Sequence, residues 1–404
     1  LVIEYNRKME QLFQKSRLRL NAIQTGHVRN KYEQIDWSDR LIGILGPRGT
    51  GKTTLLLQHL KLNQTDTAIY LSLDDVYFTN HSLIDLVEEF RLQGGRKLYL
   101  DEIHKYPGWS REVKNIYDTW HDISIIFTGS SIINIFQQEG DLSRRAVFYE
   151  LPGLSFREFL SFEQVYELPK TTLPDLLKNH GDMAADYSQQ FSPVKYWEQY
   201  IRYGYYPFYK ENLNTYPLRL EQVIRLILED ELRFVEGFDL NNVRKIYQLL
   251  SILASNVPFK PNISKLSEKI GINRLTLVQY IHYLEKARLI NTLSAVGKSI
   301  SILQKPDKIY LENPNLHQVL TPGKTDKGSL RESFFLNQLR NAGHEVELPK
   351  QGDFMIDETY TFEVGGKSKS FTQLKGLKNA FIAADDMEIG GFNKIPLWMF
   401  GLLY

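Results

Sequence analysis

The first 155 residues predict an α/β fold built on a parallel sheet, and three observations carry that prediction. Short β-branched, apolar runs recur at 41–45 (LIGIL), 68–73 (AIYLSL), 97–102 (KLYLDE), 123–129 (ISIIFTG) and 146–151 (AVFYEL), with helical patterns between them. That rhythm belongs to parallel strands joined by crossover helices. The runs are apolar almost throughout, as strands covered on both faces must be. The first run leads straight into a glycine-rich loop and then a helical stretch, TTLLLQHLKL, giving strand, loop and helix in the order a phosphate-binding loop requires.

Length and composition bound the rest. A chain of 404 residues is long enough for two or three domains, each with its own core. Lys plus Arg total 49 against 48 Asp plus Glu, so no global basic field draws the chain to nucleic acid, although a local basic face remains compatible with the total. Cysteine is absent, which excludes disulfides, thiolate metal sites and cysteine nucleophiles and fits a reducing cytoplasm. No apolar run approaches the roughly 20 residues that span a bilayer. The polar, helix-like start, LVIEYNRKMEQLFQKSRLRL, lacks the apolar core of a signal peptide, so a cytoplasmic protein without a membrane partner is expected.

Four regions follow from shifts in pattern. Residues 1–155 hold the N-terminal helix and the sheet. Residues 156–245 are rich in Tyr, Phe and Leu and read as mostly helical, with polar loops around 178–192. Residues 246–325 carry two short helical patterns separated by Gly271, then β-like runs. Residues 326–404 begin with a helix, continue in short strands and end in PLWMFGLLY. No internal repeat or long low-complexity linker is evident.

The loop Gly46-Pro47-Arg48-Gly49-Thr50-Gly51-Lys52-Thr53 matches G-x-x-x-x-G-K-[ST]. Glycines let the backbone fold back so that its N–H groups face one point. With the start of the following helix they form an anion nest for a β-phosphate. Gly46, Gly49, Thr50, Gly51, Lys52, Thr53 and Thr54 are therefore the expected nucleotide-binding residues. Lys52 reaches the β- and γ-phosphates, and the Thr53 hydroxyl is placed to ligate Mg²⁺.

KLYLDE ends a strand in two acids. A carboxylate at the carboxyl edge of a parallel strand faces the ligand crevice. Asp101 is the expected second Mg²⁺ residue, and Glu102 is positioned to polarise an attacking water. The plainer alternative is that the pair caps the next helix. The run ISIIFTGSS ends in small hydroxyl residues, where Thr128 or Ser130 either meets a γ-phosphate or orients water, or Ser130 or Ser131 caps a helix. Arg144 and Arg145 precede the last strand. An arginine there either stabilises transition-state charge, within its own subunit or a neighbour's, or pairs with an acid.

Residues 262–290, NISKLSEKIGINRLTLVQYIHYLEKARLI, read as helix–turn–helix. Ser264 is the expected first cap, Gly271 the turn and Asn273 the second cap. Leu275, Val278, Ile281 and Leu284 or Leu289 supply an apolar face. Arg274, Thr276, Gln279, Tyr280 and His282 fall on the opposite face, where they either read a DNA groove or meet a protein. SAVGKSISIL (294–303) is placed as a wing.

Taken together, GPRGTGKTTLLLQ, YLSLDD (70–75), LYLDEIHKYPGWSREVKNIYD (98–118), FTGSS (127–131) and SRRAVFYELPGLSFREFL (143–160) resemble prokaryotic AAA-type ATPases related to the archaeal ATPases. YIRYGYYPFY (200–209), LEKARLINTL and PDKIYLENPNL extend the resemblance through a winged helix, in a region of unknown function. The resemblance implies ATP rather than GTP, and no guanine-reading N-K-x-D run is evident. It places the family's polar sensing residue within FTGSS, at Ser130, and its arginine at Arg145, with Arg144 replacing the usual glycine. Some relatives complete their sites with a neighbour's arginine and others act as monomers, so an oligomer is compatible with it. Residues 326–404 resemble the family's restriction-endonuclease-like tail, whose metal site would use Glu332, Asp353 and a Glu-x-Lys. Here Glu363-Val364-Gly365 puts glycine at the lysine position, and Lys367 lies beyond a Gly365-Gly366 pair that breaks strand alternation. The expected module is therefore an inactive nuclease fold. The implied function is an Mg²⁺-dependent ATPase that couples nucleotide state to a winged-helix recognition module. The alternatives are a slow nucleotide-gated switch on DNA or a protein, and an ATP-regulated nuclease.

Overall fold

The computed structural model describes residues 2–129, 142, 144–232, 242–297, 305–323 and 326–404, with main chain alone at 2–8 and 231. Backbone contacts divide the chain into two compact units, Leu1–Gly153 and Leu154–Tyr404.

The first unit contains α1 (Val2–Ala22), β1 (Leu41–Leu45), α2 (Lys52–Leu62), β2 (Ala68–Ser72), α3 (Leu83–Leu92), β3 (Lys97–Asp101), α4 (Trp109–Thr119), β4 (Ser124–Gly129) and β5 (Val147–Glu150). Each strand matches its sequence run to within one residue at either end. The sheet order is β2-β3-β4-β1-β5 and every pairing is parallel. Side-chain alternation sorts the apolar residues onto two faces. Leu41, Leu45, Ile69, Leu71, Leu98, Leu100, Ile125 and Phe127 pack with residues of α1, α3 and α4. Ile42, Ile44, Tyr70, Tyr99 and Ile126 pack with Leu55, Leu56 and Leu60 of α2. Gly43 makes room on the first face. A Cβ there would stand 2.8 Å from the Phe127 ring and 2.7 Å from that of Phe148, which meet edge-on at 6.0 Å.

The second unit runs α5 (Phe156–Phe162), α6 (Leu173–Gln190), α7 (Pro193–Gln199), α8 (Tyr216–Leu226), α9 (Val243–Ala254), α10 (Ile263–Ile270), α11 (Arg274–Lys286), β6 (Ile290–Leu293), β7 (Lys308–Leu311), α12 (Pro314–Leu320), α13 (Lys327–Asn341), β8 (Val346–Glu347), β9 (Phe354–Ile356), β10 (Tyr360–Gly365), β11 (Ala380–Ala384) and β12 (Lys394–Pro396). Strands β6 and β7 pair antiparallel. A separate sheet has the order β12-β11-β10-β9-β8, parallel from β10 to β12 and antiparallel from β8 to β10. Phe335 of α13 anchors its core, with ring contacts to Phe354, Phe362 and Phe400.

Several local expectations are corrected. The polar loop placed around 178–192 is helical through Gln190. Its buried positions are Leu173, Leu176, His180 and Ala184, so a histidine and a small alanine on the inner face conceal the helical period. Asn262, not Ser264, caps α10, accepting from the Lys265 N–H. Gly271 ends α10 in the left-handed conformation and Asn273 caps α11, as read from sequence. On α11 the buried face is Leu277, Val278, Tyr280, Ile281 and Leu284. Leu275 is exposed and Tyr280 is buried, the reverse of the expected assignment. Leu277, Tyr280 and Leu284 stand three and four residues apart and so share one side of the helix with Val278 and Ile281, which leaves Leu275 beyond the edge of the buried face. Residues 298–303 of the expected wing lie outside the described residues.

Asn315 at the start of α12 joins distant segments of this unit. Its Oδ1 accepts from the Tyr205 N–H at 2.9 Å and the Tyr216 hydroxyl at 2.8 Å. Its Nδ2 donates to the carbonyls of Tyr200 and Ile201, both at 2.9 Å. Those carbonyls belong to a π-helical turn, Tyr200–Gly204. A wide turn leaves carbonyls without the usual i→i+4 partner, and Asn315 supplies donors for two of them.

Candidate functional site

The glycine-rich loop joins the end of β1 to the start of α2, at the carboxyl edge of the sheet. Gly49 (φ 83°) and Gly51 (φ 92°) take left-handed conformations that admit a side chain only at a cost. The Lys52 ammonium is buried and donates to the carbonyls of Gly46 at 2.8 Å and Pro47 at 2.7 Å, so it lies along the loop's arc. Thr50 is fully buried, and its hydroxyl donates to the Pro47 carbonyl at 2.9 Å, holding the loop closed on itself. Thr53 and Thr54 follow in the first turn of α2, where Thr54 is exposed.

β1 and β3 flank β4, so the loop and Asp101 emerge from the same edge. The Thr53 hydroxyl meets the Asp101 carboxylate at 3.0 and 3.1 Å. Asp101 is 4% exposed and accepts two further hydroxyls, Tyr70 Oη at 2.9 Å and Thr128 Oγ1. Burial pushes its carboxyl up from the ordinary range, while the hydrogen bonds from Thr128, Tyr70 and Thr53 pull it back down. Burial, then the Asp101 charge, raises the Tyr70 phenol, so this hydroxyl stays a donor.

Glu102 has φ 53° and ψ 42°, a left-handed conformation uncommon for glutamate. Its N–H donates to Thr128 Oγ1 at 3.3 Å, and its carboxylate lies 3.5 Å from Nε2 of the buried His104. Thr128 thus ties the two acids to the end of β4. The structure therefore brings together Lys52, Thr53, Asp101, Glu102 and Thr128. Ser130 lies outside the described residues. Arg145 is held elsewhere by Asp118, with Nε to Oδ1 at 2.8 Å and Nη2 to Oδ2 at 3.0 Å, while Arg144 is exposed.

Two site residues escape sequence reasoning. Tyr70 sits in an apolar strand run and reads there as core. Arg29 precedes the sheet and carries no motif, yet it is buried and bonded to the Thr50 carbonyl at 2.8 Å.

An Mg²⁺ ion fits the donor set of Thr53 and Asp101, a hydroxyl beside a single carboxylate. Mg²⁺ favours hard oxygens and completes its shell with phosphate and water. Among the described residues no group of three or more His, Asp or Glu is arranged to hold a metal, so no all-protein cage competes.

In the second unit the carboxylates expected of a nuclease module are already engaged. Tyr310 Oη donates to Glu332 at 2.9 Å, the Val364 N–H donates to Asp353 at 2.9 Å, and Lys369 Nζ stands 2.6 Å from Glu363. Burial, then the Asp353 charge, raises the Glu332 carboxyl to about 7. Lys367, the lysine singled out from sequence, is exposed. Lys369 instead folds over Gly365, whose missing Cβ leaves space for its methylenes.

Residues 38–160 match the family model of an AAA domain. Residues 194–326 match a family described as a domain of unknown function. The chain is 28% identical over 402 residues to the uncharacterized protein MJ1637 of Methanocaldococcus jannaschii, covering 90% of this chain and 84% of that protein. It is 24% identical over 351 residues to the uncharacterized protein MJ1544 of the same organism, covering 82% and 73%. Among solved structures, AMPPCP-bound DnaA from Aquifex aeolicus aligns at 17% identity with a TM-score of 0.26, covering 64% of this chain and 85% of that one. C. elegans PCH-2 aligns at 19% identity with a TM-score of 0.24, covering 44% of this chain and 47% of that one, so less than half of PCH-2 is spanned. The parallel five-stranded sheet with a glycine-rich loop between β1 and α2 is the α/β fold of a P-loop NTPase, and its residues 38–160 are those similar to the AAA domain. No helix among the described residues is long and apolar enough to cross a membrane.

Proposed function

We propose that this protein binds ATP with Mg²⁺ at the Gly46–Thr53 loop and hydrolyses it. The observation that carries the reading is the convergence of the Thr53, Tyr70 and Thr128 hydroxyls on the buried Asp101 carboxylate, beside Lys52. The backbone N–H groups of residues 49–53 and the start of α2 receive the phosphates, and Lys52 exchanges its loop carbonyls for phosphate oxygens. Thr53 and Asp101 hold Mg²⁺, which neutralises phosphate charge when bound. Glu102 stands next to Asp101 at the strand edge, where its carboxylate orients a water and accepts its proton. Thr128 fixes both acids in register.

Arg145 is better supported as a partner of Asp118 than as a charge-stabilising arginine of its own subunit. Residues 326–404 are read as structure or recognition, because Gly365 stands where the Glu-x-Lys pattern places its lysine and Lys369 reaches Glu363 only from beyond the strand. Plasmid cleavage with Mg²⁺ or Mn²⁺ that is lost in Glu363→Ala would overturn that assignment. The sequence α10, turn, α11, β6 and β7 supports a winged helix with Arg274, Thr276 and Gln279 toward solvent, coupled to nucleotide state. Its partner is DNA or a protein.

The test is ATP turnover with Mg²⁺ for wild type, Lys52→Ala and Glu102→Gln, with and without duplex DNA. Lys52→Ala should lose ATP binding. Glu102→Gln should bind ATP and slow turnover by roughly a hundredfold or more. Undiminished hydrolysis in Glu102→Gln would remove Glu102 from its role, and tight binding without turnover in wild type would make the protein a switch.

A further inference from the structure

Arg29 lies outside residues 38–160, the part of the chain that the AAA family model matches. It sits in the stretch between α1 and β1, 7% exposed. Its Nη1 donates to the Thr50 carbonyl at 2.8 Å, and its Nη2 donates to the carbonyls of Pro152 and Gly153, both at 2.9 Å. One planar guanidinium thus spans the phosphate-binding loop and the segment that follows β5. Only arginine carries enough donors in a fixed fork to do this, since an ammonium is a point donor on a flexible stem.

The surroundings fix that segment in turn. The Leu151 N–H donates to the Leu45 carbonyl at 2.7 Å, continuing the β1–β5 pairing past the strand end. Gly46 packs so closely on the Leu151 carbonyl that no side chain fits there. The stretch carrying Arg29 is itself tied to α2, because Gln58 Nε2 donates to the carbonyls of Gln24 at 2.8 Å and His27 at 2.7 Å.

The orientation of the Thr50 carbonyl decides what the loop can bind. A trans peptide is planar, so the Gly51 N–H points opposite to the Thr50 oxygen. With that oxygen on Arg29, the N–H is turned away from Arg29. Gly51, at φ 92°, has no Cβ to resist rotation of the 50–51 peptide, and glycine tolerates either orientation. A flipped peptide would present a carbonyl oxygen where a phosphate needs a donor, converting part of an anion nest into a repulsive surface.

We propose that Arg29 is a positioning residue that locks the Thr50–Gly51 peptide with its N–H toward the phosphates, and that it anchors this lock on Pro152 and Gly153, the last residues of the first unit. The inference rests on the reading of the loop as the nucleotide site. Arg29 touches no nucleotide, and its effect falls on phosphate affinity rather than on the Asp101–Glu102 step. Through Arg29 the loop is also hydrogen-bonded to the chain segment that leads into residue 154.

Affinities for ATP and ADP should be measured on the full chain with fluorescent analogues, alongside turnover at saturating ATP, for wild type, Arg29→Lys and Arg29→Ala. Arg29→Ala should bind both nucleotides roughly tenfold or more weakly, while its turnover at saturation changes by less than about threefold. Arg29→Lys, which keeps the charge and loses the fork, should fall between them. Circular dichroism reports whether each variant is folded, and Arg29→Lys carries the test if Arg29→Ala is not. A folded variant binding within about twofold of wild type would overturn the proposal, as would a loss confined to turnover at saturation. Wild type that fails to bind ATP would instead overturn the nucleotide reading itself.

Discussion

Replacing Tyr70 by phenylalanine deletes one hydroxyl and leaves the ring in place. Tyr70 is 6% exposed and its ring packs with Tyr99, Ile42 and Leu55 on the α2 face, so the apolar contacts survive. What is lost is the 2.9 Å bond from Oη to Asp101 Oδ2. A hydrogen bond to a charged group contributes about 1.5–3 kcal/mol. Here the bond lowers the Asp101 carboxyl against a burial effect that raises it. Its removal therefore favours the protonated acid, which cannot serve Mg²⁺. At about 1.4 kcal/mol per tenfold, the half-saturating Mg²⁺ concentration should rise roughly ten- to a hundredfold. The acid limb of the turnover profile should move to higher pH, because a proton now competes more strongly for the same oxygen. The assay is ATP hydrolysis titrated with Mg²⁺ at several pH values. An unchanged Mg²⁺ dependence and an unmoved acid limb, in a protein that still binds ATP, would refute the assignment of Tyr70 to the Asp101 cluster.

Two stability predictions follow from other buried groups. Asn315→Leu removes four hydrogen bonds and leaves the Tyr205 N–H, the Tyr216 hydroxyl and two carbonyls of the π-helical turn without this partner. Urea denaturation followed in the second unit should show a loss of about 3–5 kcal/mol, and a loss below about 1 kcal/mol would mean that the network is dispensable. His59 stacks on Trp37 with centroids 3.8 Å apart, and its Nδ1 lies 2.9 Å from the Tyr99 hydroxyl. Burial, then Lys97, lowers its pKa to about 3. A depressed histidine contributes stability that is fully present above its unfolded value of 6.5 and is lost as pH falls toward 3. Within that window this group alone should cost about 1.4 kcal/mol per pH unit on acidification, and the slope should flatten in His59→Phe.

The sheet was legible because its strands are buried on both faces, and a run such as LIGIL has few other uses. The positions of the glycine-rich loop and of Asp101 were legible because they depend on spacing within one short segment and on a strand end. Tyr70 was not, since its ring belongs to the core and only its hydroxyl to the site. A sequence shows the residue type without separating those ends. Arg29 was hidden by distance, because two of its three carbonyl partners lie 123 and 124 residues away. On α11 the cap at Asn273 and the inward Val278, Ile281 and Leu284 were read correctly, and only the edges of the face were not, with Leu275 turned out and Tyr280 turned in. Lys369 was missed for a related reason. Strand alternation projects a lysine from position 365 or 367, but the chain beyond Gly365 has left the strand, and a long side chain can return over the gap.

The left-handed backbone at Glu102 has a consequence for how this site is kept. An αL conformation costs a glutamate of order 1 kcal/mol that glycine would not incur. At position 102 the preferences of the fold and the chemistry therefore diverge. Glycine would relieve the chain, whereas the role proposed for Glu102 needs a carboxylate at the strand edge. Under that proposal, selection for thermal endurance alone would drift toward the smaller residue and erode turnover, while selection for turnover would hold the protein slightly below the stability its own backbone allows. Glu102 is thus a position where a gain in melting temperature should be read as a warning.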